Sequence, residues 1–406
     1  MRMLTRVTVA ALLALTPVTV ASASASASAS ASVTAPEPNP APLFTATHAV
    51  PGQYIVTLEK GVDAAKTAQR LGLKARFVYT SALNGFAVPL TPLQLAIVRN
   101  SLGVKSVEED AKVRSVLEAP TRPGTRSPSA SWGLDRIDQQ EWDDDAGTGD
   151  GQFTTQGNGA GVTAYILDTG IEYGHSEFGG RATFGFDAIG DGRDGGDCQG
   201  HGTHVAGTVA GKTYGVATKA ALVSVRVLGC DGQGAYSGII AGLDWVAKNA
   251  KQPAVLNASL GGDLSQAVND AADAVTAAGV LPVVAAGNSS KDACAVSPAS
   301  ASKVVTVAAS NRYDEETSFS NYGTCVELYA PGEAIVSAKL GGGSVAQDGT
   351  SMAAPHVTGA AVLYKQAHPA APPEELVAWL GDESTKDSLT KVSKSSPNEL
   401  LFTNGL

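Results

Sequence analysis

"GVTAYILD", Gly161–Asp168, is an almost wholly apolar run that stops on a carboxylate. A short apolar run of this kind suits a strand buried on both faces. The pattern returns in "ALVSVRVL" (Ala221–Leu228), "AVLNASL" (Ala254–Leu260), "VLPVVAA" (Val280–Ala286) and "KVVTVAA" (Lys303–Ala309). Between them, Ser237–Ala250 and Ser265–Ala278 carry apolar residues at helical spacing. Alternating strands and helices predict an α/β layered fold with a mostly parallel sheet. In such sheets ligands bind beyond the carboxyl ends of the strands, which is where Asp168 stands.

The segments before this region have other characters. Arg2 and Arg6, the apolar stretch Val7–Val20 and the small-residue tract Ala21–Ser32 read as a secretion signal over residues 1–32. Residues 33–125 are expected to form a separate small unit, folded over about 51–118. "QYIVTL" alternates as a strand from Gln53, Val62–Leu71 has helical spacing, and "NGFAVPL" restores a strand after an Asn-Gly turn signal. A helix around Thr91–Leu102 and a strand near Val113 complete this α+β unit. "EAPTRPGTRSPSAS", Glu118–Ser131, then reads as an exposed linker open to proteolysis. The larger domain follows, over 126–406.

The chain of 406 residues has a net charge of −10 and only 17% charged residues. No basic stripe is present to release counterions from nucleic acid, so that class of partner is excluded. No membrane association is expected once the signal is removed, and a monomer is expected. Four cysteines in an exported chain, Cys198, Cys230, Cys294 and Cys325, permit three pairings.

"GTSMAAPHVTGAAVL", Gly349–Leu363, puts a hydroxyl at the mouth of an apolar helix. Ser351 there reads as an N-cap, or as a nucleophile whose oxyanion would form beside free helix N–H groups. The second reading requires a base and an orienting acid. Asp168 in "YILDTGIEYGH" is a turn former or such an acid. His201 lies in the Gly-rich "DCQGHGTHVAGTVAGK". A zinc set of Cys198, His201 and His204 lacks a fourth partner motif, and the glycines match no phosphate loop. Asn288 in "VVAAGNSS" is a turn residue or an oxyanion donor.

Taken together, "YILDTGIEYGHSEF", "GHGTHVAGTVAG", "NASLGG", "VVAAGN" and "GTSMAAPHVTG" resemble the signature blocks of the subtilisin superfamily of serine endopeptidases. "TYGVA", "GQGAYSGIIAGLDWVA" and "SFSNYG" are similar to its proteinase K branch. The similarity runs from about Trp132 to the carboxyl terminus, and Gln53–Val116 resembles the family's inhibitory prosegment more weakly. The resemblance implies a three-layer subtilisin-like fold and assigns roles. Ser351 would be the nucleophile, His201 the base and Asp168 its orienting acid, in the chain order known for subtilisin itself. Asn288 and the Ser351 N–H would form the oxyanion hole. Pro355 would fall in the first helical turn, where a missing N–H costs nothing.

The resemblance also implies a substrate laid between Gly232–Tyr236 and Ser259–Gly262, with Gly232, Gly234, Tyr236, Ser259, Leu260 and Gly261 in contact. Ala285, Ala286 and Gly287 would line an uncharged pocket taking an apolar or aromatic residue before the cleaved bond. It pairs Cys198 with Cys230 and Cys294 with Cys325, and it implies no organic cofactor. A structural calcium ion is implied, for which "WGLDRIDQ" offers Asp135, Asp138 and Gln139. The expected product is a secreted, broad-specificity endopeptidase made as an autoprocessed zymogen, inhibited by its own prosegment until a cut between about Glu118 and Ser131. The competing readings are a catalytically dead binding protein and an inhibitor acting through the amino-terminal unit alone.

Overall fold

The computed structural model describes residues 39–115, 131–143 and 146–406. The expected signal and most of the linker lie outside these residues.

A nine-stranded sheet forms the centre. Its seven main strands run in the spatial order Leu328–Pro331, Val305–Ser310, Leu281–Ala285, Ala254–Ala258, Thr163–Asp168, Ala221–Arg226 and Ala182–Asp187. All neighbouring pairs among them are parallel. Side chains alternate between the two faces, as strand geometry requires. Ala164 and Ile166 pack with helices α4 (His201–Ala210) and α7 (Thr350–Ala367), whereas Tyr165 and Leu167 pack with α5 (Tyr236–Asn249) and α6 (Gln266–Ala277). The result is the expected three-layer α/β fold. Two of these strands carried no clear signal. Ala182–Asp187 is an edge strand in which only Ala182 is buried, and Leu328–Pro331 is too short to show a period.

The amino-terminal unit is an antiparallel sheet ordered Val104–Ser115, Ala49–Leu58, Gly85–Pro89 and Phe77–Tyr79. Helices α1 (Ala64–Arg70) and α2 (Pro92–Arg99) cover one face. Asp63 caps α1 through the Lys66 N–H, and Thr91 with Gln94 forms a reciprocal capping box on α2. The Asn-Gly pair does not make a two-residue hairpin. Asn84 instead donates to the carbonyls of Glu59 and Val62, and a Cβ on Gly85 would stand 2.1 Å from the Val56 carbonyl oxygen. Close backbone approach, not turn chemistry, is what requires glycine there.

The other face of this small sheet, through Ile55, Tyr79, Ala87 and Val113, shares a core with α5 and α6. Two carboxylates on its longest strand reach the amino ends of those helices. Glu108 accepts from Ser265 Oγ and from the Ala267 N–H at 3.2 Å, beside the first turn of α6. Asp110 accepts from the Ser237 N–H at 3.0 Å and from Ser237 Oγ at 2.5 Å, at the start of α5. Helix N-termini present orphan donors and positive potential, so they suit anions. In return, Asp244 of α5 accepts from the N–H groups of Thr80, Ser81 and Ala82. Burial pushes the Glu108 and Asp110 carboxyls up, so these contacts must offset a desolvation cost.

Replacing Asp110 with Ala leaves the Ser237 donors buried without a partner, a loss of about 1–3 kcal/mol. That corresponds to roughly a 5- to 150-fold weaker hold of the amino-terminal unit on the larger domain, by the same free-energy conversion. Inhibition kinetics of the mature protein by the separated unit measure it, and a change below twofold would show that the cap is idle.

Candidate active site

Asp168 ends the central strand and is fully buried. Its Oδ1 lies 2.7 Å from His201 Nδ1 and also accepts the Thr169 N–H. His201 is the first residue of α4, which starts at Gly200, a left-handed glycine with φ +108°. Asp197 folds that turn by accepting from Thr169 Oγ1, the N–H groups of Gln199, Gly200 and Thr203, and Thr203 Oγ1. Arg226, the register partner of Asp168, braces the next residue by donating to the Thr169 carbonyl while paired with Asp187 and Asp191. The Arg226 guanidinium holds the Asp191 carboxyl down at about 2.

Ser351 is the second residue of α7, and the N-cap is Gly349, at a φ of +146°. The capping role for Ser351 is thereby removed. Its backbone N–H belongs to the first turn, where helix donors have no intrahelical acceptor. Ser351 Oγ donates to the Ser259 carbonyl at 3.0 Å, and Ser259 Oγ donates to the Ser351 carbonyl at 2.9 Å. The second bond corrects the reading of Pro355, which is the sixth helical residue and not part of the first turn. Its missing N–H deprives the Ser351 carbonyl of its usual partner, and Ser259 Oγ supplies the replacement. His201 Nε2 is buried and makes no hydrogen bond among the described residues. Ser351 Oγ makes its hydrogen bond to Ser259 and none to this nitrogen.

Asn288 follows the strand Leu281–Ala285. Its Oδ1 accepts from both the N–H and Oγ1 of Thr350, at 2.9 and 2.8 Å. Fixing the oxygen end of the amide fixes which end is the donor. Thr350 Oγ1 in turn accepts the Gly287 N–H at 3.0 Å. Two other histidines are structural: burial lowers His204 to about 3 and His356 to about 4. His204 Nε2 faces the carbonyls of Ile335 and Val345, and His356 Nδ1 faces that of Met352.

The strand Val104–Ser115 leaves its own sheet and enters a groove between Gln233–Ala235 and Leu260–Asp263, antiparallel to both. Val113 faces Gly234, Arg114 faces Gly261, Ser115 faces Leu260, and the Ser115 N–H reaches the Gly232 carbonyl at 3.0 Å. A Cβ on Gly234 would stand 2.4 Å from the Val227 carbonyl oxygen. Tyr236 and Leu260 are buried in the same core as Val113. The adjoining cavity is bordered by Gly261, Gly262, Gly287, Asn288 and Asn321. Ala285 and Ala286 are fully buried on opposite faces of the sheet, behind this border. Asn321 lies in the "SFSNYG" block, whose local pattern by itself gives it no role. Its Nδ2 donates to the Ala286 carbonyl and its Oδ1 accepts from Ser289 and Lys291, which shapes the loop carrying Asn288.

Disulfides join Cys198 to Cys230 and Cys294 to Cys325. The first ties the turn before His201 to the loop before Gly232. Asp191, Cys198 and Cys230 converge, but the two sulfurs are bonded to each other and offer no metal site. Asp135 and Asp138, at the end of α3 (Trp132–Ile137), lie with Gln139 and Asp150 in one polar cluster. Asp135 accepts from the N–H groups of Gly149 and Gly151 and from Gln139, and Asp138 Oδ2 accepts from Thr154. Asp138 Oδ1 is buried without a partner among the described residues. Burial, aided by Asp150 and Asp135, pushes the Asp138 carboxyl up to about 6. A hard divalent cation would relieve both conditions, so the donor set fits calcium chemically.

Residues 159–400 match the sequence pattern of the subtilase family, and residues 74–115 that of the peptidase inhibitor I9 family. The chain is 44% identical to an extracellular serine proteinase of Thermus sp. (strain Rt41A) over 385 residues, 88% of this chain and 91% of that one. It is 40% identical over 379 residues to a cuticle-degrading protease of Metarhizium anisopliae, 89% of this chain and 92% of that one. A crystal structure of a cold adapted subtilisin-like serine proteinase superposes with a TM-score of 0.65 at 45% identity, covering 67% of this chain and 97% of that one. On the match over residues 159–400 and on these identities, this chain belongs to the subtilase family of serine peptidases.

Proposed function

We propose that the protein is a secreted endopeptidase of broad specificity, made as a precursor that its amino-terminal unit holds inactive. The observation that carries this reading is the strand Val104–Ser115, laid as an extended peptide along the groove that leads to Ser351. A protein substrate would add itself to the same two edges by backbone pairing, which tolerates many sequences.

In this mechanism Ser351 Oγ attacks the peptide carbonyl while His201 Nε2 takes its proton. Asp168 holds the ring through Nδ1 and stabilises the imidazolium. The Asn288 amide and the Ser351 N–H receive the oxyanion. Collapse expels the amine, which takes the proton from His201 and leaves an acyl group on Ser351. Water, deprotonated by His201, then releases the acid. Gly287, Asn288 and Asn321 line the cavity without ionic charge while Lys291 and Asp263 bring opposite charges to it, so no single charge selects the residue before the cleaved bond and an apolar or aromatic side chain is preferred there. Calcium would be held by Asp135, Asp138 and Gln139, where it would neutralise charge and brace the segment after α3. The names of the relatives, an extracellular proteinase among them, support export.

Ser351→Ala is expected to abolish hydrolysis of a chromogenic peptide and to leave the precursor uncut, on the order of a million-fold loss as in subtilisin itself. Asn288→Ala should lower kcat by about 100- to 1,000-fold with little change in KM, again the magnitude known for subtilisin. Intact mass and steady-state kinetics read both. Processing of the Ser351→Ala chain at the wild-type rate would assign maturation to another protease. A peptide-library digest showing a strict demand for Arg or Lys before the cut would overturn the specificity.

Chelation is expected to lower Tm by roughly 5–15 °C at pH 8, if calcium is present far above its Kd. The pH dependence follows from Asp138. Its carboxyl is raised above the ordinary value, so its own contribution to stability is present at low pH and is lost as pH rises through about 6. Calcium binds the ionised form and offsets that loss, so its gain in Tm should shrink as pH falls below about 6. An equal gain at pH 5 and pH 8, or full retention in Asp138→Asn, would remove the ion from this cluster.

A further inference from the structure

Asp263 ends the wall Leu260–Asp263, with its side chain 33% exposed at the cavity beside the groove. Among the described residues no other acid borders that cavity, whereas His48, Lys112, Arg114 and Lys291 all do. The first three of these bases belong to the amino-terminal unit. His48 Nδ1 lies 2.8 Å from Asp263 Oδ2, and among the described residues this is the one ion pair that Asp263 makes. The contact joins the amino-terminal unit to the larger domain, and no step of the mechanism uses it.

Two observations place a peptide side chain at this carboxylate. Ser115 is opposite Leu260 and Arg114 opposite Gly261, in antiparallel sense, so two further steps along that register bring Lys112 across from Asp263. Independently, the Lys112 N–H donates to the His48 carbonyl at 3.1 Å. The residue whose ring reaches Asp263 is therefore also the backbone neighbour of Lys112. Lys112 is exposed and makes no ion pair with Asp263 among the described residues; His48 holds that carboxylate instead. A substrate that adds itself to the two walls brings one strand only, and nothing then takes the place of His48. The carboxylate is left to the substrate's own side chain.

From this placement we infer that Asp263 is a subsite for a basic side chain, Lys or Arg, at the substrate position that Lys112 holds in the precursor. The inference rests on the endopeptidase reading above and deepens it. Along the wall, the next step after Leu260 is Ser259, whose carbonyl receives the Ser351 hydroxyl at 3.0 Å. Leu260 therefore faces the second residue before the cleaved bond, and Asp263 faces the fifth. The Tyr236 hydroxyl donates to the Asp263 carbonyl, which anchors the backbone without using the carboxylate. Lys291 shares the cavity but forms no ion pair with Asp263 among the described residues. An exposed pair of this kind discriminates modestly and is screened by salt, so cleavage stays broad.

The test uses the active protein obtained from the full chain, with chromogenic peptides that differ only by Lys or Glu at the fourth, fifth or sixth residue before the bond. At the fifth position, kcat/KM for Lys should exceed that for Glu on the order of fivefold at low salt, the scale of exposed charge pairs. The ratio should shrink toward one at about 1 M salt. A low-salt ratio below twofold, a ratio that salt leaves unchanged, or a larger ratio at the fourth or sixth position overturns the assignment. Asp263→Asn should bring the ratio below twofold, and Asp263→Lys should turn the preference toward Glu. Each ratio is read within one enzyme, so a general loss of activity does not enter it. A ratio that Asp263→Asn leaves above twofold belongs to another group and overturns the inference. Should both variants fail to fold, the scan and its salt dependence in the unaltered protein decide alone. Hydrolysis of all the peptides at one rate refutes this inference and leaves the endopeptidase reading standing. Folded protein, shown by circular dichroism, that cleaves none of them refutes that reading and the inference with it.

Discussion

The reciprocal pair of hydrogen bonds between Ser259 and Ser351 couples the wall paired with the strand Val104–Ser115 to the helix that presents Ser351, the proposed nucleophile. Ser259 follows one central strand and Ser351 opens the helix packed across that sheet. Pro355 makes the coupling necessary, because it leaves the Ser351 carbonyl without a helical donor in a fully buried place. A buried unmatched carbonyl is costly, and Ser259 Oγ is the group that meets it. Asn257 and Thr358 extend the link, with Asn257 Nδ2 donating to Ser259 Oγ and Thr358 Oγ1 to Asn257 Oδ1. The position of Ser351 is thus set from below by polar contacts and not only by helix packing.

The other residues of the proposed mechanism depend on the same end of the sheet. Parallel strands all deliver their carboxyl ends to one edge, so Asp168, Ser259 and Asn288 arrive together from three strands that neighbour in space. Glycines at Gly200 and Gly349 let the two helices start close to that edge in backbone conformations closed to other residues. The disulfide between Cys198 and Cys230 ties the histidine turn to the substrate wall. The site is a meeting of chain ends, each braced by its own local bonds.

The amino-terminal unit exploits two features the larger domain cannot hide. Its carboxylates Glu108 and Asp110 meet the helix ends of α6 and α5, and its last strand fills the groove proposed for peptide substrates. Inhibition and recognition therefore share one geometry. The helix-end contacts involve no substrate position, so they add hold to the unit without requiring a tighter fit at the bond to be cut.

The apolar runs ending at Asp168, Leu260 and Ala286 determined by themselves that a buried parallel sheet would form, because no other common element buries such short runs on both faces. The motif blocks likewise put forward Asp168, His201, Asn288 and Ser351 for the proposed acyl transfer, since that chemistry calls for those residue types. The tertiary structure alone decided the rest. Pro355 lies deeper in its helix than its sequence context implied, and its partner Ser259 is 92 residues from the Ser351 it serves. Asn321, Asp197 and Arg226 act on residues brought near only by folding. The register of Val104–Ser115 depends on pairing with two segments more than a hundred residues away, and a strand's sequence carries no record of which residue will face which. Local pattern reports what each segment buries; which polar groups meet across the buried edge is settled only when the chain closes on itself.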